Sequence, residues 1–279
     1  MQYALGLYEK AMPANLGWEE MLLSAKEAGF DHLEISIDEG DARLARLQWS
    51  ARQREDLCGL MYKTGMPIKT MCLSGHRKYP LGSHDPATRA RSMDIMRSAL
   101  DLASDLGIRI VQLAGYDVYY EESDAESLAL FAENLKKSVE YAAMKGVVMG
   151  FETMETPFMD TITKGMAYVE QLNSPYLGMY PDLGNLTNAI HAYGLDMAAE
   201  IQAGRGHCFA MHLKETEEGK YRDMDFGTGR VDFVSGIRQA QACGIHLFVA
   251  EFWHDGRAEW KERLRASCDF LRDRFAAAR

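Results

Sequence analysis

Short apolar or β-branched runs alternate with longer stretches of helical periodicity along the whole chain, and that alternation leaves few folds open. The runs are 3–8 (YALGLY), 32–37 (HLEISI), 68–74 (IKTMCLS), 109–114 (RIVQLA), 147–152 (VVMGFE), 177–182 (LGMYPD), 208–213 (CFAMHL) and 246–251 (HLFVAE). Eight such βα units close a barrel, whereas an open doubly wound sheet has fewer strands and a glycine-rich phosphate turn after the first. The first turn here reads LYEKAMPANLGW, with no G-x-G-x-x-G, and the chain carries neither a Walker-type loop nor a G-x-S-x-G elbow. A length of 279 residues lies close to the roughly 250 of a (β/α)₈ barrel, so one α/β barrel domain over residues 1–279 is expected.

The helical segments begin and end where capping chemistry requires. Asn15 or Gly17 precedes WEEMLLSAKEAG, Asp85 with Pro86 precedes ATRARSMDIMRSALDLASDLG, and Asp124 precedes AESLALFAENLKKSVEYAAMKG. Gly29, Gly107, Gly146 and Gly244 follow the last helical turn of their segments, the position that favours a left-handed residue.

The formal net charge of −10, with both signs interspersed, provides no basic stripe for a phosphate backbone, so nucleic acid is not an expected partner. No apolar run approaches the roughly 20 residues of a membrane span, and MQYALGLYEKAMP lacks the features of a signal peptide, which predicts a cytoplasmic protein. The five cysteines are scattered and form no C-x-x-C pair, arguing against a disulfide framework or a structural zinc site.

In a barrel the chemistry sits at the C-terminal ends of the strands. Glu152 ends VVMGFE, Asp182 ends LGMYPD, His212 is next to last in CFAMHL, and Glu251 ends HLFVAE, each about one βα unit from the next. Any one of these acids could instead cap the following helix, and the histidine could be a satisfied core residue. Their recurrence on four consecutive strands favours a shared divalent metal. Three carboxylates and one imidazole suit Mn²⁺, Zn²⁺, Co²⁺ or Mg²⁺ better than a thiolate-preferring ion.

Longer strings narrow the reading. ISIDEGDARLARLQWS, MCLSGHRKYPLGS, QLAGYDVYYE, FETMETPFM, YPDLGNL, GHCFAMHLKET, FGTGRVDF and AEFW together span nearly the whole chain. In these stretches the sequence resembles the L-ribulose-5-phosphate or L-xylulose-5-phosphate 3-epimerases of ascorbate and pentose catabolism, within the xylose-isomerase-like TIM barrel superfamily. The resemblance implies metal ligands at Glu152, Asp182, His212 and Glu251, an acid/base pair formed by Glu152 and Glu251, a small sugar phosphate as substrate, and a homodimer. Glu155 rivals Glu152 for the strand-five role, but its place beside Pro157 in the following loop favours Glu152. Asn185 stands where the tagatose and psicose epimerase branch has His, which favours a phosphorylated substrate.

Inverting C3 of a 2-ketose requires a base on one face and an acid on the other, with the intervening cis-enediolate stabilised. A phosphate needs cations, and His76, Arg77, Lys78, Lys214 and Arg222 are candidates, with His254 and Trp253 lining the pocket beyond Glu251. The same residues would serve a 1,2-isomerase such as a hydroxypyruvate isomerase, or a 3-epimerase of an unphosphorylated ketose. An AP endonuclease would need more ligands and a basic face. A non-catalytic sugar-binding barrel would show no turnover.

Overall fold

The computed structural model describes residues 3–279. Its strands are β1 Ala4–Tyr8, β2 His32–Ile37, β3 Ile68–Leu73, β4 Ile110–Ala114, β5 Val148–Glu152, β6 Leu177–Met179, β7 Met211–Leu213 and β8 Leu247–Ala250. All pair in parallel, in the order β6-β5-β4-β3-β2-β1-β8-β7. Two parallel bridges, Met179 to Cys208 and Asp182 to His212, span the remaining gap between β6 and β7 and close the ring. The expected eight-stranded barrel is therefore the observed one.

The sixth and seventh expected strands are too long, since 177–182 and 208–213 shrink to the three-residue β6 and β7. Pro181 has no N–H to give to a ladder, although its carbonyl still accepts from the His212 N–H at 2.9 Å. Pairing at this seam is thus reduced to isolated bridges, one of which joins two candidate site residues.

The helices are α1 Trp18–Glu27, α2 Asp41–Leu44, α3 Ala51–Thr64, α4 Pro86–Asp105, α5 Ala125–Lys145, α6 Ile162–Leu172, α7 Leu183–Tyr193, α8 Met197–Ala203, α9 Phe233–Ala242 and α10 Trp260–Ala277. Asp85 and Asp124 cap α4 and α5 through side-chain bonds to the first free N–H groups, and Gly17 rather than Asn15 precedes α1. Gly146 ends α5 at φ 65°, a conformation that costs a side-chain-bearing residue energy.

Strand residues alternate between two packing layers. Leu5, Leu7, Leu33, Ile35, Met71, Val111, Met149 and Phe151 join the main core beneath the helices. Tyr8, Cys72, Tyr180, Ala210 and Val249 form a separate cluster inside the barrel. The inward set is small, which leaves the C-terminal end of the ring for polar side chains. Among the described residues no helix is long and apolar enough to cross a membrane, and all five cysteines are free.

Candidate metal and active site

Glu152, Asp182, His212 and Glu251 meet at the C-terminal end of the ring. All four are buried, and each offers one donor atom within 4.8 Å of the others. Their convergence follows from the barrel: they come from the consecutive strands β5 to β8, with Glu152 ending β5, Asp182 three residues past β6, His212 within the short β7 and Glu251 directly after β8.

The two oxygens of Asp182 have different surroundings. Oδ1 accepts from the Asn185 N–H at 2.6 Å and caps α7. Oδ2 is buried and accepts no hydrogen bond, and Glu251 Oε2 is likewise without one. Buried carboxylate oxygens left in this way are costly, and a cation between them would remove the cost. Glu152 accepts from the Gln112 side-chain amide through Oε2, while its Oε1 lies 3.2 Å from His212 Nδ1. His212 Nδ1 also lies 3.5 Å from Glu251 Oε2. Three oxygens and one nitrogen thus face a common point, a donor set that fits a divalent cation.

Electrostatics describe the same crowding. Burial, opposed by the Lys214 ammonium, pushes Asp182 up to about 7, and burial with the charge of Glu251 raises Glu152. Burial would raise Glu251 too, but Lys214 and His212 outweigh it and hold that carboxyl at about 2. His212 is raised well above an ordinary imidazole despite burial, because Glu34 and Glu251 favour its charged form. Like charges this close keep their protons unless a cation compensates.

The cluster forms the floor of a cavity of about 370 Å³. Glu152, Glu251, Asn185, Lys214, Arg77 and Arg222 all line it, whereas Asp182 and His212 lie beneath the lining residues. Lys214 Nζ sits 3.4 Å from both Asp182 Oδ1 and Glu251 Oε2, so this cation belongs with the floor. Asn185 donates to the Thr153 carbonyl at 2.8 Å. Glu155 lines the wall and accepts from the Tyr116 hydroxyl at 2.9 Å, outside the four-residue cluster.

Three expected substrate contacts do not line the cavity. His76 lies in the tight turn Gly75–Arg77, whose curvature sends its ring toward α4, where Nε2 meets the Ser92 carbonyl at 3.2 Å. Lys78 leaves the same turn on its solvent side, with its ammonium 5.4 Å from the Tyr79 ring. His254 follows Trp253, and its backbone N–H bonds to the Lys10 carbonyl at 2.7 Å. Successive residues of a turn or extended segment diverge in direction, so adjacency in sequence to Arg77 or Trp253 did not bring these three along.

Sequence reasoning also missed several groups. Lys10, Asp38 and Arg43 line the rim. Lys10 pairs with Asp38, and Arg43 with Glu9 at 3.0 Å. Lys10 lies in the single turn Glu9–Ala11, Asp38 just after β2 and Arg43 in the one-turn α2, segments too short to leave a readable periodicity. Glu34 and Gln112 beneath the floor do have a readable signal, since each is a polar residue at a buried inward position of a strand.

A family model described as a xylose isomerase-like TIM barrel matches residues 22–274. The L-ribulose-5-phosphate 3-epimerase UlaE of Salmonella paratyphi C (strain RKS4594) is 43% identical to this chain, over 99% of this chain and 96% of its own. Among solved structures, D-allulose 3-epimerase from Methylomonas sp. in complex with D-allulose superposes with a TM-score of 0.78 at 18% identity, covering 98% of this chain and 97% of that one. An L-ribulose 3-epimerase superposes with a TM-score of 0.76 at 20% identity, covering 99% and 96%. At that identity the two structures establish the shared barrel only. The family model and the level of identity to the curated relative place this chain in the L-ribulose-5-phosphate 3-epimerase family of xylose isomerase-like TIM barrels.

Proposed function

We propose that this chain is a divalent-metal-dependent 3-epimerase that interconverts the C3 epimers L-ribulose 5-phosphate and L-xylulose 5-phosphate. The observation that carries this reading is the pair of buried carboxylates, Glu152 and Glu251, lining one cavity from strands set three apart around the ring. The 43% identity to a protein named for this reaction supports the substrate.

Glu152, Asp182, His212 and Glu251 would hold the cation, which when bound supplies Lewis acidity toward the carbonyl of the ketose. Mn²⁺, Zn²⁺, Co²⁺ and Mg²⁺ all suit the donors. The carboxylate of one glutamate takes the C3 proton, and the electron pair of the broken C–H bond moves into the C2 carbonyl to give the cis-enediolate. The carboxyl of the other glutamate then returns a proton to the opposite face of C3. The first glutamate ends protonated and the second ionised, so exchange with solvent must reset both before the next turnover in the same direction. Burial raises both carboxyls and the Lys214 ammonium lowers both; burial and the charge of Glu251 prevail at Glu152, whereas Lys214 and His212 prevail at Glu251, so the two carboxyls differ in proton affinity.

Running the reaction in D₂O tests this directly. Deuterium is expected at C3 of the product, and a chelator is expected to abolish its incorporation, with activity returning on addition of Mn²⁺ or Co²⁺. Deuterium at C1 alone would replace this reading with a 1,2-isomerase, and exchange that survives complete metal removal would end it.

Arg222 is the phosphate anchor in this reading. Lys10, Arg43, Arg77 and Lys214 already face carboxylates within 4.0 Å. Arg222 lies over the Trp253 ring at 5.0 Å and has no carboxylate partner among the described residues. Its guanidinium remains available for two parallel bonds to a phosphate. Arg222→Ala is expected to raise KM for the phosphorylated ketose about 10- to 100-fold, with the KM for the same ketose lacking phosphate unchanged. Equal changes for both substrates would remove Arg222 from phosphate recognition.

A further inference from the structure

Beneath the floor, the barrel interior holds a carboxylate for which the proton transfers have no use. Glu34 is fully buried at the inward position of β2 between His32 and Ser36. Both of its oxygens are engaged. His212 Nε2 donates to Oε1 at 2.7 Å, and the Tyr180 hydroxyl donates to Oε2 at 2.8 Å. Glu34 does not line the cavity, so it has no access to substrate.

The supports of this carboxylate extend further down the ring. Tyr180 has no solvent exposure, and its Cβ lies 2.9 Å from where a side chain on Gly150 would begin. Glycine on β5 therefore makes room for the ring that holds Glu34. The neighbouring interior residues Ala210 and Val249 are apolar, so an acid here departs from its surroundings at the cost of desolvation.

The return is control of an imidazole. A neutral histidine carries one proton on either nitrogen, and an acceptor at Nε2 selects the form in which Nδ1 keeps its lone pair. Nδ1 faces Glu152 Oε1 and Glu251 Oε2, 3.2 and 3.5 Å away. We infer that Glu34 is a positioning residue that fixes the ring orientation and Nε2–H tautomer of His212, with Tyr180 bracing its second oxygen, so that Nδ1 joins the three carboxylates as a metal ligand. The inference rests on reading that cluster as a metal site.

Co²⁺ binding separates the two ideas. Affinity, measured by competition with a chromophoric chelator, and the visible Co²⁺ absorption band are compared in wild type, Glu34→Leu, Glu34→Gln and Tyr180→Phe. Glu34→Leu is expected to bind about 10- to 100-fold more weakly, with an altered band. Glu34→Gln keeps an acceptor for Nε2–H and is expected within about threefold of wild type, and Tyr180→Phe is expected to fall between the two. A Glu34→Leu protein that binds like wild type, or a Glu34→Gln protein as weak as Glu34→Leu, overturns the positioning role and leaves the metal site standing. Wild type that binds no Co²⁺ overturns the metal site itself. ¹⁵N shifts of His212 in Zn²⁺-loaded wild type need no variant to fold: Nδ1 bound with Nε2 protonated supports the inference, and Nε2 bound to metal ends it.

Discussion

Glu152→Gln is expected to lower epimerisation by about 10²- to 10⁴-fold while still washing the C3 hydrogen of one epimer into solvent. The asymmetry follows from two glutamates working on opposite faces of C3. Without the carboxylate of Glu152, Glu251 can still remove and restore the proton on its own face, which exchanges hydrogen without inversion. Starting from the other epimer, nothing remains to take the proton, and exchange stops as well. Glu251→Gln should give the mirror image, with exchange surviving only from the epimer that Glu152 serves. Both glutamates also belong to the cluster that fits a cation, so each variant must be assayed with metal in excess of its weakened affinity. An amide oxygen at 152 can still accept from the Gln112 side chain, which limits structural damage. Deuterium wash-in at C3, followed from each epimer separately by NMR, reads the outcome. Loss of exchange from both epimers in one variant and from neither in the other would mean that one glutamate does all the proton transfer, and undiminished inversion in either would remove that residue from the reaction.

These assignments were legible in the sequence to different depths. The strand-and-helix alternation fixed the barrel because parallel strands buried on both faces leave continuous apolar runs, and Asp85 with Pro86 and Asp124 marked helix starts that the structure keeps. The four clustered residues could be found because each interrupts or ends such a run near the rim of the ring. Asp182 shows the limit of that reasoning: helix cap and cluster member were framed as alternatives, and the two oxygens of one carboxylate take one role each. Loss of regular pairing at β6 and β7 turned on the missing N–H of Pro181, a local effect that hydrophobic patterning does not register. The contacts of Glu34 with His212 and Tyr180 join residues 178 and 146 positions away in the chain, a pairing set by ring closure. Lys10 and Arg43 reach the rim from single helical turns too short to leave a periodicity. His76 lies off the cavity because a tight turn aims neighbouring side chains in different directions.

The second large effect concerns acid stability and belongs to two histidines outside the reaction. His32 is fully buried on the inward face of β2, with neither ring nitrogen hydrogen-bonded, and burial together with Lys69 pushes it down to about 3. Burial also lowers His76 to about 4, against the opposing pull of the Ser92 carbonyl. In the unfolded chain both titrate near 6.5. Between the folded and unfolded values the unfolded chain binds a proton that the folded protein refuses, so stability is complete above about pH 6.5 and is lost as pH falls. At pH 4.5 each ring is expected to cost roughly 2 to 3 kcal/mol. Together that is a large share of the 5–15 kcal/mol that holds a typical domain folded. Carboxylates in the floor titrate over part of the same range, so the informative quantity is a difference between proteins rather than one curve. Urea unfolding of chelator-treated wild type and His32→Leu, compared at pH 7.5 and 4.5, isolates the histidine because the floor is common to both. Whatever the substitution costs at pH 7.5, the variant should lose about 2 to 3 kcal/mol less than wild type on acidification. Equal losses in the two proteins would mean that the His32 ring accepts its proton inside the barrel, which would require a partner for its nitrogens.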